Sequence, residues 1–489
     1  MKGGKYQMNL DVYNTHMELY PYTKDDYPII EKDFTSVDKF SGMEVPCGYM
    51  IDDGKLYLPR GAHIAKIERL CGVDANYIMK SDPFEKMNRK HYSISDPRDE
   101  LQEKSIEFLK ENIHQQSLTL RTGMGKTYCV AYASTELGLR TLIITPNERL
   151  KQQWLSTYSK MFDYRPKDLM NIAGSSIMEG IMEDLYDPCD VYMVNHQTLR
   201  SYMNSHNGYM LHQFFKKLNI GIKVYDESHM EFANIITTDY YSNTDRTWYL
   251  TATFSRSDKT EAVCFKRAFN SVSEFGYVQS TMNAVKHTIY HVIRYNSHIS
   301  PKDRSIAIPF GGMTAVSYGK YAFFRDQNHT AYNIILQCLH ILDDVEGKIL
   351  IFVPLIDAVD DVVKRLKQDY PNKSVAAYHS RISKDEKESA EKKDIIVSTI
   401  KSCGTGVDIK GLRAVICQEP IASKVISEQL FGRIRPYKVI NDKGEEELKD
   451  TYFLDCIDIC IPPVNFWWRS RFKKYETLAK EVIYLDINN

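Results

Sequence analysis

Two sets of short apolar runs constrain this chain more than any other feature of its sequence. The first set is Leu118–Leu120 (LTL), Thr141–Thr145 (TLIIT), Asp190–Val194 (DVYMV), Ile222–Asp226 (IKVYD) and Trp248–Ala252 (WYLTA). The second is Lys348–Val353 (KILIFV), Ser374–His379 (SVAAYH), Asp394–Thr399 (DIIVST), Arg413–Gln418 (RAVICQ) and Thr451–Asp455 (TYFLD). Each run is continuous rather than alternating, as in a parallel strand covered on both faces. The intervals leave room for crossover helices such as DAVDDVVKRLKQ. The pattern predicts an α/β chain with two doubly wound parallel-sheet domains in tandem.

The stretch before Pro97 reads differently. It is rich in Tyr and acidic residues and holds one alternating segment, GKLYLPRG (Gly54–Gly61), followed by the helix-like AHIAKIERLCG. The expected organisation is an α+β accessory domain at 1–95, a first sheet domain at 96–295 and a linker or insertion at 296–330. A second sheet domain at 331–460 and a C-terminal helical tail at 461–489 complete it.

With 489 residues, 43% of them hydrophobic and 26% charged, the chain has an ordinary globular composition and enough length for several cores. No apolar run approaches the roughly 18 residues that a membrane helix needs. The opening MKGGKYQMNLDVYNTHMELY has no apolar core of the signal-peptide kind. The ten cysteines include no CxxC pair, and Cys456 with Cys460 is poor zinc spacing, so all are expected to be reduced thiols. These observations predict an intracellular, cytoplasmic protein with no membrane partner. The net charge of −1 offers no global attraction to polyanions, but an average over the surface hides local stripes.

The strongest chemical signal is SLTLRTGMGKTY. Thr122, Gly123, Met124, Gly125, Lys126 and Thr127 follow an apolar strand and precede a helix-like run. Glycines there let backbone N–H groups turn toward a phosphate chain. Lys126 supplies a point charge for β- and γ-phosphates, and the Thr127 hydroxyl is a Mg²⁺ ligand. The generic loop has a glycine at the position Leu120 occupies. About a hundred residues on, Tyr225-Asp226-Glu227-Ser228-His229 places an acidic pair at the end of a strand, where parallel sheets deliver ligands. Asp226 would hold Mg²⁺ through water, and Glu227 would orient and deprotonate an attacking water. Together the two segments call for ATP and Mg²⁺.

GMGKT and DESH resemble the superfamily 2 DExH-box helicases, and further segments resemble that family's motifs in the family's order. The resemblance runs from about Arg98 to Tyr437. It implies two tandem RecA-like doubly wound parallel-sheet domains with a small α+β N-terminal domain, hydrolysing ATP in the cleft between the two. Thr145–Leu150 (TPNERL), ending in Gln153-Trp154, resembles the element gripping the nucleic-acid backbone, through Pro146 and Arg149. VNHQTL resembles the next backbone contact, through Gln197 and Thr198. Leu250–Thr253 is similar to the element coupling hydrolysis to movement, implying roles for His229, Thr251 and Thr253. In the second half, KILIFVP, Tyr378-His379-Ser380 and SCGTGVDIKG (Ser402–Gly411) fill the expected slots. They imply backbone contacts at His379, Thr399 and Thr405, and nucleotide contacts at Gly406 and Asp408. EQLFGRIRPY (Glu428–Tyr437) resembles the arginine-finger motif, with Gln429 and Arg433 in place. A second arginine comes early, as Arg435, and Pro436 takes its usual slot. Arg433 is expected nearer the γ-phosphate. PRDELQ resembles the adenine-reading element, with Arg98 and Gln102 spaced four apart; glutamine pairs bidentately with an adenine edge.

Within the superfamily the chain looks closest to the phage UvsW-like and XPB-like branch. GKLYLPRGAHIAKIERLCG resembles the end of a UvsW-like N-terminal domain, and implies a DNA contact through Arg60, with Lys66 as a further candidate. A packing domain with a solvated basic turn is the alternative. The C-terminal FWWRSRFKKYE (Phe466–Glu476) admits two readings as well, a base-stacking surface or a helix docked on the second domain. The expected function is an ATP-dependent DNA helicase or branch-migration translocase of phage or viral origin, in recombination, repair or replication, working in the host cytoplasm. DNA is the favoured partner, held by its backbone with little sequence preference. An RNA helicase remains a rival, as does a non-unwinding motor subunit serving a partner protein. The intact Lys126, Asp226 and Glu227 argue against a binding module with a dead ATPase.

Overall fold

The strand β1 (Asn9–Val12) turns back antiparallel into β2 (His16–Tyr20), and Leu10, Val12, Met17 and Leu19 are buried on the pair. β2 continues into β6 (Lys55–Pro59) and then β5 (Met50–Asp52), while β7 (Ala75–Tyr77) runs parallel to β1 on the other side. A small hairpin, β3 (Thr35–Val37) with β4 (Glu44–Pro46), accompanies this five-stranded sheet. The computed structural model describes residues 8–487 except 24–27, 38–43, 47, 81, 122, 253–258, 277, 279–285, 301–306, 311–312, 317–320, 323–324, 326–329, 404–408, 422–423 and 441–443. The chain divides into two units, Met1–Asn283 and Ala284–Asn489.

The N-terminal sheet is part of the first unit rather than a body apart. Leu10, Leu19, Leu56 and Leu58 belong to the same buried cluster as Phe232, Tyr240, Phe265 and Phe269 from the helices beside the larger sheet. Gly61, in the LPRG turn, abuts the C-terminal end of the helix Lys259–Ala268. A Cβ on Gly61 would sit 2.6 Å from the Ala268 carbonyl oxygen, so no side chain fits there. The Thr15 hydroxyl donates to the Ser242 carbonyl and the Tyr240 hydroxyl to the Gly48 carbonyl, fastening the two sheets further.

The strands of the larger sheet are β8 (Gln115–Thr119), β9 (Thr141–Thr145), β10 (Leu169–Ile172), β11 (Val191–Asn195), β12 (Ile222–Tyr225), β13 (Arg246–Thr251) and β14 (Ser273–Phe275). They lie in the order β10-β11-β9-β12-β13-β8-β14, and every pair is parallel. Alternate residues feed two separate cores. Leu142, Ile144, Tyr192, Val194 and Tyr225 enter one, and Ile143, Val191, Met193, Val224 and Trp248 the other. A strand buried on both faces presents apolar side chains to both cores, which is why these runs read as continuous rather than alternating.

The second unit repeats the plan. Its sheet is built from β15 (Thr288–Tyr295), β18 (Lys348–Phe352), β19 (Val375–Tyr378), β20 (Ile395–Ser398), β21 (Leu412–Cys417), β24 (Thr451–Asp458) and β25 (Glu481–Ile487). The order is β19-β20-β18-β21-β24-β15-β25, again all parallel. Two hairpins stand outside it, β16 (Ala307–Phe310) with β17 (Met313–Val316), and β22 (Tyr437–Ile440) with β23 (Glu446–Lys449). Val359, Val362, Val363 and Leu366 of the helix Ile356–Asp369 cover one face, and Tyr475 with Phe431 covers the other.

All ten apolar runs contribute strands, so the two parallel α/β sheets stand as expected. The margins differ from expectation. β15 belongs to the second sheet, not to the first domain, and the stretch 461–489 is a helix, Pro462–Leu478, followed by the strand β25. The helix is docked: Tyr475 is fully buried with its hydroxyl on the Ser427 carbonyl, and Arg471 makes a buried bidentate pair with Asp455, at 2.8 and 2.9 Å. Arg471 is therefore committed to the core and offers no charge to a phosphate. The nine described cysteines are free, and only Cys460 is not fully buried. Among the described residues no helix is long and apolar enough to cross a membrane.

Candidate nucleotide site

Because every strand of the first sheet runs the same way, their C-terminal ends share one edge, and the sequence motifs collect there. The loop after β8 carries Gly123 and Gly125, both with positive φ (91° and 88°), a region open to glycine at little cost. Gly125 caps the helix Lys126–Leu137, so unpaired N–H groups of the first turn and the positive end of the helix dipole face the loop. Lys126 Nζ rests 2.9 Å from the Leu120 carbonyl, and Thr127 is half-buried in the first turn. Leu120 itself is fully buried in the sheet core, which accounts for a leucine where the generic loop has glycine.

Gln102 lies on the helix Glu100–Lys110, whose N-cap Asp99 accepts from the Gln102 N–H. Its buried amide braces the loop: Oε1 accepts the Arg98 N–H at 2.8 Å and Nε2 donates to the Met124 carbonyl at 3.3 Å. A Cβ on Gly125 would collide with that Nε2. The Arg98 guanidinium is more than half exposed and pairs with Asp99.

The acidic pair follows β12. Asp226 is buried, with Oδ1 accepting the Glu227 N–H at 3.0 Å and Oδ2 accepting the Trp154 indole N–H at 2.8 Å. Burial, reinforced by the neighbouring Glu227 charge, pushes its carboxyl up to about 6, while Trp154 and Lys126 act in the opposite direction. Glu227 has a left-handed backbone (φ 50°), and the turn is stitched to β13 by the Ser228 N–H on the Leu250 carbonyl. A single ring nitrogen of His229, Nδ1, faces both neighbours, lying 2.9 Å from the Thr251 hydroxyl and 3.4 Å from a Glu227 oxygen. Thr122 and Thr253 lie outside the described residues.

The donors fit a hard cation. Mg²⁺ takes oxygen ligands and is commonly held by one or two carboxylates together with substrate phosphates and water. Thr127 and Asp226 supply a hydroxyl and a carboxylate, and Asp226 keeps lone pairs beyond its two hydrogen bonds. Among the described residues no cluster of three His, Cys, Asp or Glu side chains offers a self-sufficient metal cage.

Pro146, Arg149 and Gln197 reach the same edge from the ends of β9 and β11. Pro146 and Arg149 are half-buried and Gln197 is exposed, while Thr198 is buried behind the Asn195 cap. Arg60 is far from free: its guanidinium lies over the Tyr77 ring, centroid 5.9 Å away, with Nε buried and unpaired. In the second unit His379 and Thr399 follow β19 and β20, on the corresponding edge of that sheet. Both are buried, His379 held by Asp360 at 3.0 Å and Thr399 by Ser402 at 2.9 Å. Gln429 is buried on the helix Lys424–Phe431, and Arg433 and Arg435 are half-buried just beyond it. Thr405, Gly406 and Asp408 lie outside the described residues.

Residues 92–256 match the family described as type III restriction enzyme, res subunit, and residues 330–436 match the helicase conserved C-terminal domain. Together the matches take in more than half of the chain and every motif from Arg98 to Arg435. The chain is a superfamily 2 helicase. As such, the helicase is an ATP-dependent enzyme built on two RecA-like domains. No curated protein matches it in sequence. Among solved structures it is similar to an HsdR subunit fragment of a type I restriction enzyme from Vibrio vulnificus YJ016, with 13% identity and TM-score 0.51 over 79% of this chain and 68% of that one. It is similar also to S. cerevisiae Dbp5 bound to RNA and ADP BeF3, with 13% identity and TM-score 0.52 over 79% and 89%. T4 UvsW aligns over 98% of this chain and 100% of its own, with 16% identity and TM-score 0.37. At such identities the likeness concerns the fold alone, and a score of 0.37 is too low to place the branch.

Two features of the helicase escape a reading of its sequence. Trp154 falls in the segment that resembles a grip on nucleic acid, yet it is 1% exposed and points at Asp226. Its buried helix position beside Leu150, Lys151 and Tyr158 is the available signal. Glu419, beyond β21, is the other. Burial pushes its carboxyl from the usual 4.5 up to about 7, although it accepts the Ile400 N–H. A lone glutamate before Pro420 carries no pattern that would expose it.

Proposed function

We propose that this helicase is a DNA motor that unwinds or branch-migrates its substrate, gripping the backbone with little regard for base sequence. The observation that carries the reading is the intact Lys126, Asp226 and Glu227 set on one edge of a parallel sheet, beside the loops of Pro146, Arg149 and Gln197. In this reading Lys126 and the first-turn N–H groups bind the ATP phosphates, with Gly123, Met124, Gly125 and Thr127 shaping the cradle. Gln102 meets the adenine edge by exchanging its present bonds to Arg98 and Met124. Thr127 and Asp226 would hold Mg²⁺, which when bound neutralises phosphate charge. Glu227 takes the proton of the attacking water, and His229, whose Nδ1 faces both Glu227 and Thr251, couples that carboxylate to the end of β13.

Arg433 is assigned the role of the arginine that stabilises the transferring phosphoryl group, with Gln429 and Arg435 in support. His379 and Thr399 serve the second unit's contact with the strand, by shaping the loops that carry them. Support for DNA comes from the likeness of the LPRG segment to UvsW-like N-terminal domains, which also suggests a phage or viral origin and work in recombination, repair or replication. ATP hydrolysis and unwinding measured side by side on single-stranded DNA, branched DNA and RNA duplexes test it. Stimulation and unwinding by branched DNA are expected; a preference for RNA duplexes would replace this reading with an RNA helicase, and hydrolysis without unwinding would make the chain a motor serving a partner.

A further inference from the structure

Trp154 lies on the helix Glu148–Met161, which begins in the Thr145–Leu150 loop and is held firmly. Asn147 caps its first turn by accepting the Leu150 N–H, and Lys151, with no exposed side-chain surface, spans Glu148 at 2.7 Å and the Ile172 carbonyl at 3.1 Å. The Trp154 ring stacks on Tyr158 and belongs to the same buried cluster of the sheet as Ile143 and Val224. A buried indole has a single donor and nowhere to satisfy it except a nearby acceptor. Here that acceptor is neither a backbone carbonyl nor a hydroxyl but Asp226 Oδ2, at 2.8 Å. The other carboxylate oxygen is fixed by the Glu227 N–H, and the Asp226 N–H is tied to the Ile144 carbonyl at 2.9 Å.

We propose that Trp154 is a positioning residue for the metal-holding carboxylate, setting the plane of Asp226 so that its remaining lone pairs face the cation. The inference rests on the reading of Asp226 as a Mg²⁺ ligand. Groups that hydrogen-bond to a metal ligand orient it, and their loss commonly costs 10–100-fold in metal affinity or activity. A carboxylate held by one bond instead of two swings about its Cβ–Cγ axis, and the cation then has to order it. Replacing the indole N–H therefore weakens metal-dependent nucleotide binding while sparing the metal-free component, which uses the loop and Lys126.

The experiment compares the full-length chain with Trp154→Phe, with Asp226→Asn, and with Trp154 replaced by β-(3-benzothienyl)alanine, which keeps the ring shape and lacks the N–H. Fluorescent ADP binding is titrated with Mg²⁺ and repeated in chelator, and thermal unfolding is followed in parallel. In the benzothienyl variant the half-saturating Mg²⁺ concentration should rise on the order of 10-fold or more, with metal-free ADP affinity and unfolding temperature close to wild type. An unchanged Mg²⁺ requirement in that variant overturns the inference. So does a parallel loss of both binding components in Trp154→Phe together with wild-type behaviour of the benzothienyl form, which would make the residue a packing group. If Asp226→Asn leaves the Mg²⁺ requirement untouched, it is the ligand assignment that fails instead.

Discussion

Lys223, on the strand that delivers Asp226 and Glu227, forms a fully enclosed ion pair with Asp239. The pair also draws in the Tyr225 hydroxyl at 2.7 Å and the Tyr249 hydroxyl at 3.0 Å from Asp239, and Ser242 Oγ at 2.5 Å from Lys223. One aspartate thus receives two phenols and an ammonium, tying the helix Phe232–Tyr240 to β12 and β13. Removing one member of such a pair strands a charge in a low-dielectric core, at a cost of roughly 3–5 kcal/mol. Asp239→Leu is expected to destabilise the first unit by that order in denaturant unfolding. The double variant Lys223→Met/Asp239→Leu should recover much of it, and failure to recover would show that the hydroxyls, not the charges, dominate.

The phosphate loop gives the plainest catalytic test. Lys126→Ala should abolish nearly all ATP hydrolysis, because the ammonium stabilises the transferring phosphoryl group. Glu227→Gln should retain ATP binding and stop turnover, since the amide keeps the shape but accepts no proton. Steady-state rates and equilibrium nucleotide binding decide both. Turnover within about twofold of wild type for Lys126→Ala would contradict the loop's role.

Arg433 and Arg435 separate in the same pair of measurements. An arginine that acts only on the transition state lowers turnover far more than ground-state affinity. Arg433→Ala is expected to lose on the order of 10³ in rate, the scale of an arginine finger, with ATP affinity little changed. Arg435→Ala should keep substantial hydrolysis. The reverse ranking would mean that Pro436 re-aims the chain and exchanges the two roles.

Glu419 predicts a pH dependence of stability in the second unit. Its folded pKa of about 7 stands above the ordinary 4.5, so between those values the folded state keeps a proton that the unfolded chain gives up. Stability present at pH 4.5 is therefore lost progressively as pH rises to 7, by on the order of 2–3 kcal/mol. Glu419→Gln removes that slope. Denaturant midpoints for the two proteins between pH 5 and 8 should diverge at the alkaline end, the variant being the more stable; parallel curves would contradict the prediction.

Truncation to a minimal motor should fail. Deleting residues 1–90 strips Leu10, Leu19, Leu56 and Leu58 from a cluster that includes Tyr240, Phe265 and Phe269. Exposed aromatic surface of that kind drives aggregation. The truncated chain is expected to be insoluble or lack a cooperative unfolding transition, rather than to be a soluble ATPase with altered substrate preference.

The sheets and the phosphate loop are legible in the sequence because their signals are local. A strand covered on both faces is predominantly apolar, with any buried polar side chain paired, and a loop that wraps phosphate must carry Gly123, Gly125 and Lys126 in fixed spacing. β10, β14, β15 and β25 escape because their apolar signal is weak or interrupted: LMNI and SEF are short, TIYHVIRY is broken by His291 and Arg294, and EVIYLDI is bounded by Glu481 and Asp486. The shared core of the N-terminal sheet, the docking of Arg471 on Asp455 and the aim of Trp154 depend on contacts between distant segments. No window of sequence holds both partners of such a contact.

The place of β15 has a consequence for synthesis on the ribosome. This strand is translated before any other of its sheet, yet it lies between β24 and β25, the last two to be made. Ile289 waits for Tyr452 on one flank and for Glu481 on the other, 192 residues later. Vectorial folding cannot build this sheet from its first strand outward. Tyr290 and Val292 remain without their final neighbours until nearly the whole unit has emerged, so the nascent second unit is the part of the chain with most need of a holding chaperone.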